Sequence, residues 1–167
     1  GSADFLSAIG VPLEVTPEKL VRGLRETNFA FFYAPQFHPS IRHAAPARKA
    51  ITGRTLFNCL GPIANPAGAA HQLVGVYEAR LVELVAQALG NLGSTHAVVV
   101  YGEDGLDEVS PTSATQVAEW TKGKLRRYLF TPEEAGITRV DRGSLRSDNA
   151  QTAVQEGLAI LEGALGP

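Results

Sequence analysis

Apolar positions recur along the chain with two periods, and the switches between them mark out its elements. Gln72 to Tyr77 (QLVGVY) reads as a strand. From Ala79 to Leu92 the apolar residues Leu81, Leu84, Val85, Ala88 and Leu89 fall at helical spacing. His96 to Tyr101 (HAVVVY) is a continuous β-branched run, the pattern of a strand covered on both faces. Strand, helix and strand in this order predict a βαβ unit with parallel pairing and a right-handed crossover. Gln116 to Trp120 and Leu125 to Phe130, joined through Thr121-Lys122-Gly123-Lys124, predict a β-hairpin with a glycine-bearing turn. The fold class predicted is α/β, a mostly parallel sheet flanked by helices.

Helical patterns stand at both ends. Ser2 to Ile9 predicts a short helix with Ser2 as its cap and Phe5, Leu6 and Ile9 on one face, closed by Gly10. Thr16-Pro17-Glu18-Lys19 opens a second helix, with a threonine cap and a proline in the first turn. Leu20, Val21 and Leu24 form its expected buried stripe, and Asn28 its end. Phe29 to Tyr33 is short and aromatic, which suggests a buried strand. Thr131-Pro132-Glu133-Glu134 starts a short helix reaching Ala135. A last helix is expected from about 148 to 165, capped by Ser147 or Asp148, with Ala150, Val154, Leu158, Leu161 and Leu165 on its core side.

Between these lies Phe31 to Pro66, where Pro35, Pro39 and Pro46 break the backbone repeatedly. Short helices joined by rigid corners are the expected result. Such corners would aim His38, Arg42, His43, Arg48 and Arg54 in fixed directions, a cationic wall suited to a flat organic anion. A surface loop with solvated charges is the other reading of the same residues.

Composition narrows the picture. The 167 residues are 44% apolar and 19% charged, enough for one soluble domain with a real core. A net charge of −2, from 15 basic and 17 acidic side chains, offers no footprint for nucleic acid. No apolar run approaches the ~20 residues needed to span a bilayer. Cys59 alone excludes an internal disulfide framework and fits a reducing compartment, so the cytoplasm is the expected location.

Glu103-Asp104-Gly105-Leu106-Asp107-Glu108 follows the strongest strand, where open α/β sheets gather ligands. Four carboxylates so close repel one another unless a cation neutralises them. Mg²⁺, which takes one or two carboxylates plus phosphate oxygens, is one solution, and a solvated acidic loop is the other. Arg48 offers a rigid bidentate fork for a carboxylate, or else a surface ion pair. Neither a Ser-His-Asp order nor paired Cys/His metal spacing is persuasive.

The order HPSIRHAAPARK followed by RTLFNCLGPIANPAG, with GSADFLSAIGV upstream and VVVYGEDGLDEVSPT downstream, resembles anthranilate phosphoribosyltransferase. The likeness runs from Gly1 to about Gly166. It implies the large domain of the nucleoside phosphorylase/phosphoribosyltransferase fold, with 1–167 a partial domain and 31–66 the helical wall of the acceptor pocket. It implies transfer of a 5-phosphoribosyl group from phosphoribosyl pyrophosphate (PRPP) to the amine of anthranilate, in L-tryptophan biosynthesis. By the same resemblance Asp107 and Glu108 hold Mg²⁺, Arg48 binds anthranilate, and Gly61 and Pro62 form a backbone corner shaping its pocket. Ser2 would lie near PRPP. His38 would orient or deprotonate the amine, or else hydrogen-bond the helix start at Pro39. Glu103 and Asp104 would be bystanders or outer-shell acceptors, and Asn58 and Asn65 would brace turns. The family works as a homodimer, with neither nucleic acid nor membrane as partner. Its members are about twice this length, so the chain is expected to be a piece lacking the N-terminal helical domain and the glycine-rich phosphate loop. Alone, it is expected to show little or no activity. A pyrimidine-nucleoside phosphorylase-like enzyme shares the Gly-Ser-Ala-Asp start, and a non-catalytic nucleic-acid-binding paralogue is the alternative from another class.

Overall fold

The structure is a computed structural model describing residues 2–40, 43–44, 50–51, 53–55, 57–147 and 149–164. In chain order its elements begin with α1 (Ser2–Ala8), α2 (Pro17–Thr27), α3 (Ala34–Phe37) and α4 (Phe57–Ile63). They continue with β1 (His71–Gly75), α5 (Leu81–Asn91), β2 (His96–Gly102), β3 (Thr115–Thr121), β4 (Lys124–Phe130) and α6 (Ala150–Leu161). These gather into two compact units, Gly1–Gly53 with Leu145–Pro167, and Arg54–Ser144. The stretch 31–66 is thereby divided, 31–53 belonging to the first unit and 54–66 to the second.

The second unit is built on a four-stranded sheet in the order β1-β2-β3-β4. β1 and β2 are parallel, as the βαβ pattern predicts, with Val74 opposite Val99 and Gly75 opposite Val100. β3 runs antiparallel to β2, and β4 antiparallel to β3. The α/β class holds, but the sheet is mixed rather than mostly parallel. The predicted hairpin is the reason: its two-residue connection forces antiparallel pairing, and it joins β2 instead of standing apart. Lys122 (φ 50) and Gly123 (φ 78) both take positive φ, as the tightest hairpin turns require.

α5 covers one face of this sheet. Val82, Val85, Ala86 and Leu89 bury against Val74, Val76, Ala97, Val99 and Ala118. Full burial of a valine or leucine side chain of this kind contributes about 1.5–3 kcal/mol. The buried stripe is thus turned from the expected one, and Leu84 is 61% exposed. Ala86, completely buried at its centre, lets the helix approach the strands closely.

Gly90, in the last turn of α5, lies against the indole of Trp120. A Cβ there would stand 2.1 Å from Trp120 Cε2. Alanine for glycine in a helix ordinarily gains up to ~1 kcal/mol, whereas overpacking costs about 1–3 kcal/mol. Gly90→Ala is therefore expected to lower the melting temperature followed by circular dichroism; an unchanged or higher value would contradict this contact.

In the first unit the caps fall where the sequence places them. Thr16 Oγ1 accepts from the Lys19 N–H at 3.4 Å, and Asn28 closes α2 at φ 58. Gly10 likewise has φ 90. Of the expected stripe on α2 only Leu20 is buried, while Val21 and Leu24 are exposed. Phe29 to Tyr33 is irregular rather than a strand, because no described strand offers it a ladder and Pro35 stands two residues beyond the run. α6 is capped by Asn149, whose Oδ1 accepts from the Thr152 N–H at 2.9 Å. Ser147 instead donates its hydroxyl to Glu156, and Asp148 lies outside the described residues. α1 packs on α6 with the Phe5 ring over Gly157, so that a Cβ at 157 would come within 2.4 Å of it. Leu158 and Leu161 are exposed, contrary to the expected core side, and Leu165 lies outside the described residues.

Candidate functional site

Residues 103–114 link β2 to β3 at the carboxyl end of the parallel pair. The loop turns back at once: the Leu106 carbonyl accepts from Gly102 N–H, and the Gly102 carbonyl accepts from Gly105 N–H, each at 2.8 Å. Gly105 has φ 89, a conformation that only glycine adopts without strain.

Asp104 organises the rest. Its Oδ2 accepts from Ser110 Oγ at 2.8 Å and from the Thr112 hydroxyl, and its Oδ1 accepts from Leu106 N–H at 3.2 Å. Its own N–H donates to Ser113 Oγ at 3.1 Å. The guanidinium of Arg142 donates to its carbonyl. Burial works against the charge of this carboxyl, but the Thr112 and Ser110 hydroxyls and the Leu106 N–H outweigh it. Its pKa lies below the ordinary aspartate value. Ser110, fully buried, is fixed from the strand side by its N–H donating to Thr115 Oγ1 at 2.9 Å. Asp104 is therefore a structural hub, a role its sequence context did not disclose. The signal available was the cluster of hydroxyls at Ser110, Thr112 and Ser113.

On this frame Asp107 and Glu108 are exposed neighbours. Asp107 Oδ2 lies 3.5 Å from Arg54 Nη1. Arg54 also stacks over Tyr77, 5.2 Å from the ring centre. The Tyr77 hydroxyl donates to the Thr55 carbonyl at 3.4 Å. Asn58 Oδ1 accepts from Thr55 N–H at 2.8 Å, and Asn65 Oδ1 accepts from Ala67 N–H at 2.9 Å, so both asparagines brace turns as expected. Cys59 is buried within α4, and burial pushes its thiol pKa up.

Gly61 and Pro62 sit inside α4 rather than at a turn. In a helix this short, one missing N–H removes little, and proline's fixed φ is helical. Ile63, at the end of α4, packs on the core formed by α5 and the sheet. In the other unit Ser2 is exposed at the start of α1. His38 ends α3, its backbone N–H donating to the Ala34 carbonyl at 2.9 Å, and is half-buried. His43 is exposed. Arg42 and Arg48 lie outside the described residues.

Asp107 and Glu108 are hard oxygen donors open to solvent, able to share a divalent cation with phosphate oxygens and water. Among the described residues no group of three or more His, Cys, Asp or Glu side chains could hold a metal. Among them also, no helix is long and apolar enough to cross a membrane.

Comparison with known proteins places this geometry in context. The chain is 44% identical over all 167 residues to anthranilate phosphoribosyltransferase of Nitrosomonas europaea, and 46% to that of Moorella thermoacetica. It spans about half the length of these curated relatives, 49% in each case. Among solved structures, anthranilate phosphoribosyltransferase from Saccharomyces cerevisiae in complex with PRPP and Mg matches with a TM-score of 0.82 and 27% identity. That match covers 93% of this chain and 44% of the yeast one. The yeast enzyme in complex with 4-fluoroanthranilate matches equally, with a TM-score of 0.82 over 98% of this chain and 45% of the yeast one. A family model described as the glycosyl transferase family, a/b domain, matches residues 1–166, and the chain belongs to that family.

Proposed function

We propose that the chain carries the acceptor-binding and metal-binding parts of an anthranilate phosphoribosyltransferase of L-tryptophan biosynthesis. The enzyme transfers a 5-phosphoribosyl group from PRPP to the amine of anthranilate, giving N-(5-phosphoribosyl)anthranilate and pyrophosphate. The observation that carries this reading is the pair Asp107 and Glu108, presented at the carboxyl end of β2 in a chain matched throughout by proteins of that name. A cytoplasmic homodimer is part of the same reading.

The pair fits Mg²⁺, a cation that binds through one or two carboxylates and leaves the rest of its shell to water and substrate. When bound, Mg²⁺ supplies positive charge that stabilises the departing pyrophosphate. The remaining work belongs to the acceptor residues. Arg48 grips the anthranilate carboxylate through a bidentate fork, and Gly61 and Pro62 shape the space for the ring. Positioning matters because an aromatic amine is a weak nucleophile that must meet the anomeric carbon in line with departure. The amine is neutral before attack, so its lone pair is available without prior deprotonation. His38 orients it, and Ser2 lies toward PRPP.

Calorimetry on protein expressed from the complete gene tests this. Wild type is expected to bind anthranilate, and Arg48→Ala to bind it at least tenfold more weakly, since a hydrogen bond to a charged group is worth about 1.5–3 kcal/mol. Equal heats would remove Arg48 from the pocket. Thymidine in place of anthranilate separates the nucleoside phosphorylase reading.

A further inference from the structure

We infer that Gly75 and Gly102, at the carboxyl ends of β1 and β2, are positioning residues that seat the loop carrying Asp107 and Glu108. The loop backbone crosses directly over Gly75. A Cβ at this residue would stand 1.5 Å from the Asp107 carbonyl oxygen, 2.5 Å from its carbonyl carbon and 3.4 Å from its Cα. These are backbone atoms and cannot swing aside as a side chain can. Gly75 itself is held in register opposite Val100 by the parallel ladder, so the strand does not give way either.

Gly102 meets the same loop from the neighbouring strand. Its N–H and carbonyl make the two 2.8 Å bonds that start the loop. A Cβ at this position would stand 2.5 Å from Asp104 Oδ1, 3.0 Å from Ser110 Cβ and 3.3 Å from the Leu106 carbonyl oxygen. Here the nearest atom is a side-chain oxygen, which can shift, so the expected effect is smaller. At both glycines the requirement is for a missing side chain, in contrast to Gly105, where it is a positive φ. Alanine at 75 forces the acidic loop off the strand and moves both carboxylates with it.

The inference rests on the reading of Asp107 and Glu108 as Mg²⁺ ligands, and the experiment separates the two. Protein from the complete gene is compared as wild type, Asp107→Asn, Gly75→Ala and Gly102→Ala. Mg²⁺ binding in the presence of pyrophosphate is titrated calorimetrically, beside the melting temperature and the KM for anthranilate. Asp107→Asn and Gly75→Ala are expected to weaken Mg²⁺ roughly 10- to 100-fold, the usual scale for lost support of a metal ligand, and Gly102→Ala several-fold. The KM for anthranilate stays near wild type in Gly75→Ala, which a general loss of structure would not permit. Wild-type Mg²⁺ affinity in Asp107→Asn overturns the underlying reading. Weakened binding in Asp107→Asn with wild-type affinity in Gly75→Ala overturns this inference alone. Should Gly75→Ala fail to fold, Gly102→Ala decides: unchanged Mg²⁺ affinity in that folded variant overturns the inference.

Discussion

Asp107→Asn is expected, under the proposed transferase function and in protein from the complete gene, to lower kcat/KM for phosphoribosyl transfer by roughly 100-fold or more, the scale for removing one charge-stabilising group from a transition state. The loss belongs to chemistry rather than folding. The Asp107 and Arg54 side chains are 52% and 53% exposed and 3.5 Å apart, and a pair so open to solvent contributes no more than about 1 kcal/mol. The melting temperature should therefore barely move. Glu108→Gln should change activity in the same direction. Steady-state kinetics across a Mg²⁺ titration, beside thermal melts, checks both. Near-normal turnover in Asp107→Asn would remove this carboxylate from the mechanism.

The second large effect is expected at Asp104, and it has the opposite character. Asp104→Ala leaves the Ser110 and Thr112 hydroxyls and the Leu106 N–H without their acceptor. An unmatched buried polar group costs about 1–3 kcal/mol, so a drop of several degrees in melting temperature is expected, together with faster hydrogen exchange across 103–114. The pH dependence follows from the lowered pKa. Asp104 contributes its full stability above the unfolded aspartate value of roughly 3.9, and loses it as pH falls through the lower folded value. Asp104→Asn should abolish that part of the acid transition. An acid transition identical to wild type would show that the carboxylate is not what holds the loop.

What could be read from the sequence was local. Thr16, Asn28 and Gly10 act through bonds or torsions within a few residues, so their capping roles were visible without a fold. The strand–helix–strand unit and the hairpin also declared themselves, because period and turn chemistry agree. Burial was less legible. Leu84 and Leu161 carry strong apolar signals yet face outward, since the packing surface is chosen by what lies opposite. Phe29 to Tyr33 has strand composition but no described partner, and composition cannot supply one. The acidic run Glu103 to Glu108 was visible, and the resemblance singled out Asp107 and Glu108 within it. Its support was not: the approach of residue 107 to Gly75 joins positions far apart in the chain, and no spacing rule reports it.

The packing of Trp120 on Gly90 has a practical side. This indole is the chain's single tryptophan, and it belongs to the unit Arg54–Ser144. Excited at long wavelength, its emission follows the melting of that unit while the segments before 54 and after 144 stay optically silent. Fluorescence read against far-ultraviolet ellipticity thus gives a direct measure of whether the halves of this polypeptide melt in concert or in succession.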